Sequence, residues 1–458
     1  MPKLIAFRCI PIFVCAMATW CTQAVAAPAP NIIFILADDL GYGDLGCYGQ
    51  KVIQTPRLDQ MASEGLRFTD AYAGSTVCAP SRSALMTGQH TGHTRVRGNA
   101  LVPLLPEDVT VAEVLKEAGY ETALIGKWGL GEPGTSGTPN RQGFDYFFGY
   151  LNQKHAHNHY PTHLWRNEEQ VAIPGNDEVV EGVCGQCTTY AQDLLTSEAL
   201  DYITRPRQKP YFLYLSYIIP HTNNERGAYD GNGMEVPSHA PYEDREWPPQ
   251  QKGHAAMITR MDGDIGRLLD ALKESGADQN TLVIFSSDNG PLNEGGGKAE
   301  FFDSNGPLQG FKRSMHDGGI RVPFIAWGAG VPRGATTSAV TAFWDFLPTA
   351  AELAGAAAPT GIDGVSIAAV LRGAPAPENR PPLYWEFHEG GFHQALRNGK
   401  WKAVRRNRGP IKLFDLSNDI AEERDLAGQE PETAARLTQL FESSRSDSPD
   451  FPVRERRN

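Results

Sequence analysis

Uninterrupted apolar runs alternate along this chain with amphipathic stretches, and most of the runs end in polar groups. Asn31 to Ala37 (N-I-I-F-I-L-A) is such a run, the pattern of a parallel strand buried on both faces, and it ends in Asp38-Asp39. Pro56 to Glu64 predicts a helix with Gly65 as its stop. Ala79 to Met86 reads as a helix start, Pro80 being tolerated in the first turn. Val111 to Ala118 predicts an amphipathic helix stopped by Gly119, and Glu121 to Ile125 a strand that runs into Gly126-Lys127-Trp128. Tyr211 to Ile219 is a further apolar strand, followed by Pro220-His221. A helix from about His254 to Glu274 comes next, then a strand from Thr281 to Ser286 leading into Asp288-Asn289-Gly290. Arg321 to Trp327 predicts another strand and Phe343 to Leu353 a closing helix.

This order of strands and helices predicts an α/β fold: a doubly wound, mainly parallel sheet flanked by helices. Residues 131–190, rich in Gly, Asn, His and Thr and without a clear period, are expected to form a long surface insertion that shapes a pocket. Gly373 to Pro382 reads as a linker, with the main domain expected over 27–373. Beyond it, short strand candidates at Leu383–Phe387, Gln394–Leu396, Trp401–Val404 and Leu413–Leu416 precede a helix at about Pro431 to Glu442. They predict a small α+β C-terminal domain over 383–458.

The length of 458 residues suits one large domain plus a small one, since single cores stop growing at roughly 250–300 residues. Residues 1–26 carry a secretory signal: Lys3 and Arg8, an apolar stretch from Ile10 to Trp20, and an A-x-A site at Ala24-Val25-Ala26. It is too short for a membrane span, and export to the periplasm or exterior is expected. The formal charge of −12 becomes −14 without Lys3 and Arg8, which speaks against nucleic acid or an anionic membrane as partner. An anionic substrate needs a local cluster of cations. Three of seven cysteines leave with the signal; Cys184-Gly185-Gln186-Cys187 reads as a small loop disulfide or two free thiols.

Asp38, Asp39, Lys127, His221, Asp288 and Asn289 all stand at predicted strand ends, where open α/β sheets bind ligands. Each alone is an ordinary turn former. Four strands delivering such groups to one edge make a site. The acidic set with Asn289 offers hard oxygen donors, suited to Ca²⁺ or Mg²⁺ and poor for zinc. Cys78 opens a predicted helix, where free N–H groups favour an anion, and Arg82 lies one turn on along the same face.

The run Cys78-Ala79-Pro80-Ser81-Arg82-Ser83-Ala84-Leu85-Met86-Thr87-Gly88 resembles the signature of the formylglycine-dependent sulfatases, of the alkaline phosphatase superfamily. The resemblance spans roughly residues 31–416. It implies that Cys78 is oxidised to an aldehyde by a formylglycine-generating enzyme and hydrated, one hydroxyl attacking sulfur and the other later expelling sulfate. It further implies one bound cation, Ca²⁺ ahead of Mg²⁺, on Asp38, Asp39, Asp288, Asn289 and residue 78. His221 matches the histidine that serves the leaving group. Lys127 and Lys312, the latter before Gly318-Gly319-Ile320-Arg321-Val322-Pro323, match two sulfate-binding lysines, and Arg82 is expected beside them. The implied activity is hydrolysis of a sulfate ester, with a sulfated sugar as the expected substrate.

Two positions depart from the family pattern. Gly129 stands where Gly-Lys-Trp-His-Leu-Gly has its histidine, and His316-Asp317 replaces Trp-Glu, a change expected to touch pocket lining. The stretch from His155 to His163 carries four imidazoles, and His155 and His157 are expected to reach the substrate pocket, His157 in the space the missing imidazole vacates or on the sugar. Two other readings compete: a phosphate or phosphonate monoester hydrolase of the same superfamily, and a non-catalytic secreted glycan-binding protein.

Overall fold

A computed structural model describes residues 2–3 and 29–453, so the leader expected over 1–26 falls, but for residues 2–3, outside the described residues. The chain is built around a ten-stranded sheet. Its strands are β1 (Asn31–Ala37), β2 (Leu66–Phe68), β3 (Glu121–Lys127), β4 (Tyr146–Tyr150), β5 (His163–Arg166), β6 (Glu169–Ala172), β7 (Tyr211–Ser216), β8 (Thr281–Ser287), β9 (Phe324–Gly328) and β10 (Ala335–Thr337). They lie in the order β10-β2-β9-β8-β1-β7-β3-β4-β5-β6. The five central strands, β8-β1-β7-β3-β4, are mutually parallel, and antiparallel pairing begins at β9 on one side and β5 on the other.

The apolar run of β1 splits by pleat into two cores. Ile33 and Ile35 pack on one face against the helices Pro56–Glu64, Ala191–Thr204 and Pro249–Glu274. Ile32, Phe34 and Leu36 pack on the other face against Cys78–Thr87, Val111–Glu117 and Phe346–Leu353. Strand and helix runs read from the apolar pattern therefore stand in place, with ends shifted by a few residues.

Residues 131–190 correct the expectation of a surface insertion. They contribute β4, β5 and β6 to the main sheet, plus a hairpin of Asn176–Val180 with Val183–Cys187. Phe147, Tyr150, Leu151 and Leu164 are buried there. The strands are only four or five residues long, too short to show a period. Cys184 and Cys187 are disulfide-bonded across this hairpin's return strand.

Beyond the exposed segment 373–379, four antiparallel strands, β11 (Leu383–Phe387), β12 (His393–Asn398), β13 (Trp401–Arg406) and β14 (Lys412–Asp415), form the small C-terminal domain's sheet. Helix Pro431–Ser443 covers one face through Leu437 and Phe441. The other face packs Trp385 and Phe387 against Tyr72, Val77 and Trp344, and Trp385 Nε1 donates to the carbonyl of Ala73 at 2.9 Å. That contact holds the segment leading into the Cys78 helix. Asp317, expected at the pocket, is instead buried at this interface, where Lys402 Nζ donates to it at 2.6 Å. No helix among the described residues is long and apolar enough to cross a membrane.

Candidate active site

The carboxyl ends of four parallel strands converge where helix Cys78–Thr87 begins. Asp38 and Asp39 follow β1, Lys127 closes β3, His221 follows β7, and Asp288 with Asn289 follows β8. A Gly-rich loop brings Lys312 over the top. All of these side chains are buried, that of Lys312 although its backbone is partly exposed, as are Cys78 and Arg82. Ligand atoms of Asp38, Asp39, Cys78 and His221 lie within 4.8 Å of one another.

Ion pairing organises this floor. Lys127 Nζ donates to Asp38 Oδ2 at 2.6 Å. Arg82 donates from Nη2 to Asp288 Oδ2 at 2.8 Å and from Nη1 to the Lys127 carbonyl at 2.9 Å, with Ser216 as a further acceptor. Lys312 Nζ reaches Asp39 Oδ2 at 2.8 Å and Glu294 Oε1 at 2.6 Å. Asn289 Nδ2 donates to Asp39 Oδ1 at 2.6 Å. Three carboxylates thus face three cations, and the floor as a whole is near neutral, with Glu294 outside it.

The electrostatics differ from group to group. Burial opposes ionisation of Asp38, but Lys127 and Arg82 outweigh it and hold the carboxyl down to about 2. Burial and the Asp38 charge push Asp288 up to about 7. Burial, with Asp38 beside it, pushes the Cys78 thiol well above its ordinary value, so the unmodified thiol is a poor nucleophile. Burial and the nearby Lys312 and Lys127 push His221 well below the usual imidazole range. Its Nδ1 donates to the Thr222 carbonyl at 2.6 Å, which leaves Nε2 with the lone pair.

Cation fit can be judged from the donors themselves. Oδ1 of Asn289 is buried without a hydrogen-bond partner, although its own amide nitrogen is fully engaged. An orphan carbonyl beside three carboxylates is what a hard cation would complete. The residues fit such an ion.

Above the floor opens a cavity of about 640 Å³. Cys78, His221 and Lys312 line it, together with His155 and His157. Arg82, Lys127 and the three aspartates do not line the cavity; they lie beneath it. His157 stacks on His221 with ring centroids 4.7 Å apart, and its Nδ1 is 3.1 Å from Glu225 Oε2. His155 stacks on His163 at 4.3 Å. Neither fills the space beside Gly129. A Cβ on Gly129 would meet Gln153 Oε1 at 2.3 Å, with no other residue's atoms but those of Gln153 within 4 Å.

Sequence reading missed Ser216, Glu294, Gln153 and Glu225. Ser216 ends a strand and could have been found by the same strand-end logic as Asp38. The other three come from loops or short helices with no distinguishing pattern, and only folding puts them here.

The chain matches the family model "Sulfatase" over residues 30–356 and "N-sulphoglucosamine sulphohydrolase, C-terminal" over 309–446. It is 33% identical to arylsulfatase G of Rattus norvegicus, over 89% of this chain and 84% of that protein. It is 32% identical to N-acetylgalactosamine-6-sulfatase of Canis lupus familiaris, over 83% of this chain and 72% of that one. Among solved structures it is similar to Ps i-CgsB in complex with k-i-k-neocarrahexaose: TM-score 0.77, 29% identity, 93% of this chain and 95% of the other covered.

Proposed function

The chain belongs to the sulfatase family and is a sulfuric ester hydrolase, and from that premise we propose that it removes sulfate from a sulfated saccharide by way of residue 78. The observation that carries this reading is the packing of Cys78 against Asp38, Cys78 Sγ donating to Oδ1 at 3.5 Å, on the wall of a cavity that also presents Lys312 and His221. Related proteins named for sulfated sugars, and a similar structure holding a neocarrahexaose, support the saccharide class.

When oxidised to an aldehyde and hydrated, residue 78 would supply an oxygen nucleophile that the buried thiol cannot. Asp38, Asp39, Asp288 and the orphan Oδ1 of Asn289 would hold a divalent cation, Ca²⁺ ahead of Mg²⁺, which would supply charge neutralisation for sulfate oxygens. The remaining work falls to the side chains. Lys312 is the cavity-wall ammonium that lies beside Asp39 and His221, so it binds the sulfate directly. Lys127, tied to Asp38 at 2.6 Å, adds positive potential from beneath. Arg82 braces Asp288 and Asp38 and fixes where the carboxylates point. His221, with its Nδ1–H anchored on the Thr222 carbonyl, takes up a solvent proton on the Nε2 lone pair and hands it to the departing alcohol oxygen. His155 and His157 line the part of the cavity where the sugar lies.

We further propose export through the residue 1–26 leader, maturation by a formylglycine-generating enzyme, and a division between the two domains at the exposed segment after Gly373. The test is turnover of an aryl sulfate, an aryl phosphate and a panel of sulfated sugars, with and without chelator, on protein whose residue 78 peptide has been weighed. Sulfate ester turnover that requires the aldehyde and is lost with chelator is expected. Faster phosphate than sulfate release would overturn the reading.

A further inference from the structure

The charges around the nucleophile are poorly arranged for a substrate with more than one anionic group. Each cation of the floor, Lys127, Arg82 and Lys312, is tied to a carboxylate. The cavity above is lined by five glutamates against Lys154, Lys312 and Arg313, so most of its wall repels further negative charge. The exception lies on the Arg313 side. There a second cleft of about 450 Å³ opens between the loop that follows Lys312 and the small domain, and Arg313 lines both spaces. Among the described residues its titratable lining is Arg313, His316, His393, Arg405, Arg406 and Lys412, with no carboxylate.

Strand pairing builds this cleft. Lys412 lies opposite Val404 and Arg406 opposite His393, so these four side chains share one face of the small domain's sheet. Val404 belongs to the apolar patch that docks on the main domain, and the cations continue the same face beyond it. Not all of them are free. Arg405 is held by Gln394 and Glu442, and His316 Nδ1 stands 3.3 Å from Glu422. Arg406 and Lys412 are exposed, and neither forms an ion pair among the described residues; Arg406 donates to the Gly390 carbonyl. At the junction Arg313 takes a left-handed φ of +74°, a conformation that a residue with a Cβ adopts only at a cost. Its guanidinium is aimed by Glu294, which also holds Lys312, and by Glu389.

We propose that this cleft is a second anion subsite: Arg406 and Lys412 bind a sulfate or carboxylate on the sugar unit next to the one that loses its sulfate, with Arg313 spanning the two spaces. This rests on the saccharide sulfatase reading. It makes the preferred substrate an anionic saccharide chain, with its reacting unit over Cys78 and its next charged unit over β13 and β14. Guanidinium and ammonium groups recognise sulfate and carboxylate alike. Exposed charges of this kind act through encounter and affinity, and salt weakens them.

The experiment uses two pairs of disaccharides that differ in the charge beside the sulfated unit. The chondroitin 6-sulfate disaccharide is set against its carboxyl-reduced form, and the ι-carrageenan disaccharide against the κ form, which lacks the second sulfate. Binding to full-length Cys78→Ala protein is measured by calorimetry, with and without the added pair Arg406→Gln and Lys412→Gln, and thermal melting reports that the variants are folded. The more charged member of at least one pair is expected to bind about fivefold or more tightly than its partner. The double substitution should abolish that preference while changing the less charged member by less than about twofold, and added NaCl should erode the preference in the parent. Preference in the carrageenan pair alone assigns the second group as sulfate, and in the chondroitin pair alone as carboxylate. No preference in either pair, or one that survives the double substitution, would overturn the proposal. A matured parent that hydrolyses 4-nitrophenyl sulfate while neither pair is discriminated keeps the sulfatase reading and overturns this one. A parent that hydrolyses no sulfate ester overturns the functional reading, while the calorimetric pairs still decide on the cleft.

Discussion

Lys312 Nζ lies 3.1 Å from Nε2 of His221 and 2.8 Å from Oδ2 of Asp39, so one ammonium spans the carboxylate floor and the cavity's imidazole. The two residues act on opposite ends of the bond to be broken, and they should be separable by leaving group. A proton donor matters most when the departing alcohol is a poor leaving group. His221→Ala is expected to cost about 10²–10⁴ in kcat on a sugar sulfate and much less on 4-nitrophenyl sulfate. Lys312→Ala removes charge that faces the sulfate itself, and should cost about 10²–10³ on both substrates. Steady-state kinetics on the two ester types checks this, and a leaving-group-independent loss in His221→Ala would remove its proposed role.

The Cys78 thiol sits against the Asp38 carboxylate in a site that disfavours its ionisation, so unconverted protein should be nearly inactive. Mass spectrometry of the peptide containing residue 78 is expected to show loss of sulfur and gain of an aldehyde in active preparations. Specific activity should scale with the converted fraction across preparations, and Cys78→Ala should be dead. Full activity in protein with an intact thiol would refute the assignment of residue 78.

Asn289 offers a sharper probe of the cation than the aspartates, because removing it leaves the floor's charge unchanged. Its Nδ2 is engaged and its Oδ1 is bare. Asn289→Leu is therefore expected to weaken binding of Ca²⁺ by at least about tenfold, the effect of losing one oxygen ligand. Parent protein should bind one ion per chain by calorimetry and elemental analysis, and Asp288→Ala none. Two bound zinc ions per chain would assign a different chemistry to the floor.

Much of this site could be read from strand ends. Asp38, Lys127, His221 and Asp288 follow long apolar strands of the central parallel sheet, where burial on both faces writes an unambiguous pattern. The helix at Cys78 was legible for a similar reason, its first turn announced by Pro80. What escaped was peripheral. Strands β4 to β6 are only four or five residues long, too short to write a period. Gln153 reaches the cavity from the loop after β4 and Glu294 from the loop after β8, and a lone Gln or Glu in a polar loop carries no local signal. Asp317 misled for the opposite reason. Its position in a family-like motif drew attention to the pocket, whereas its partners Lys402, Arg321 and Tyr72 bind it into the interface between the two domains.

A second interface carboxylate gives the last prediction. Glu386, on β11, is fully buried and accepts from Arg97 Nη1, Arg445 Nε and Tyr384 Oη, each at 2.8 Å. Arg97 belongs to the loop after the Cys78 helix, so this one side chain joins the small domain to the segment that carries the nucleophile. Burial alone would raise its pKa, but hydrogen bonds from His388 and Arg445 and the charge of Arg97 prevail, holding it down to about 2 from 4.5. A depressed carboxylate contributes stability that is full above the unfolded value and is lost as pH falls through the folded value. Glu386→Gln would leave the buried Arg97 guanidinium without its counter-charge and Arg445 with only the exposed Asp447, a loss of about 3–5 kcal/mol by analogy with broken buried pairs. The variant is expected to melt well below the parent from pH 8 to pH 5, with limited proteolysis cutting first between the domains. The gap should narrow as pH drops below about 4.5, because the parent then begins to lose the same charge. Thermal melts across that range check the sign. A gap that widens on acidification, or a Gln variant as stable as the parent at pH 7, would mean that the docking surface around Trp385 holds the domains together without this charge.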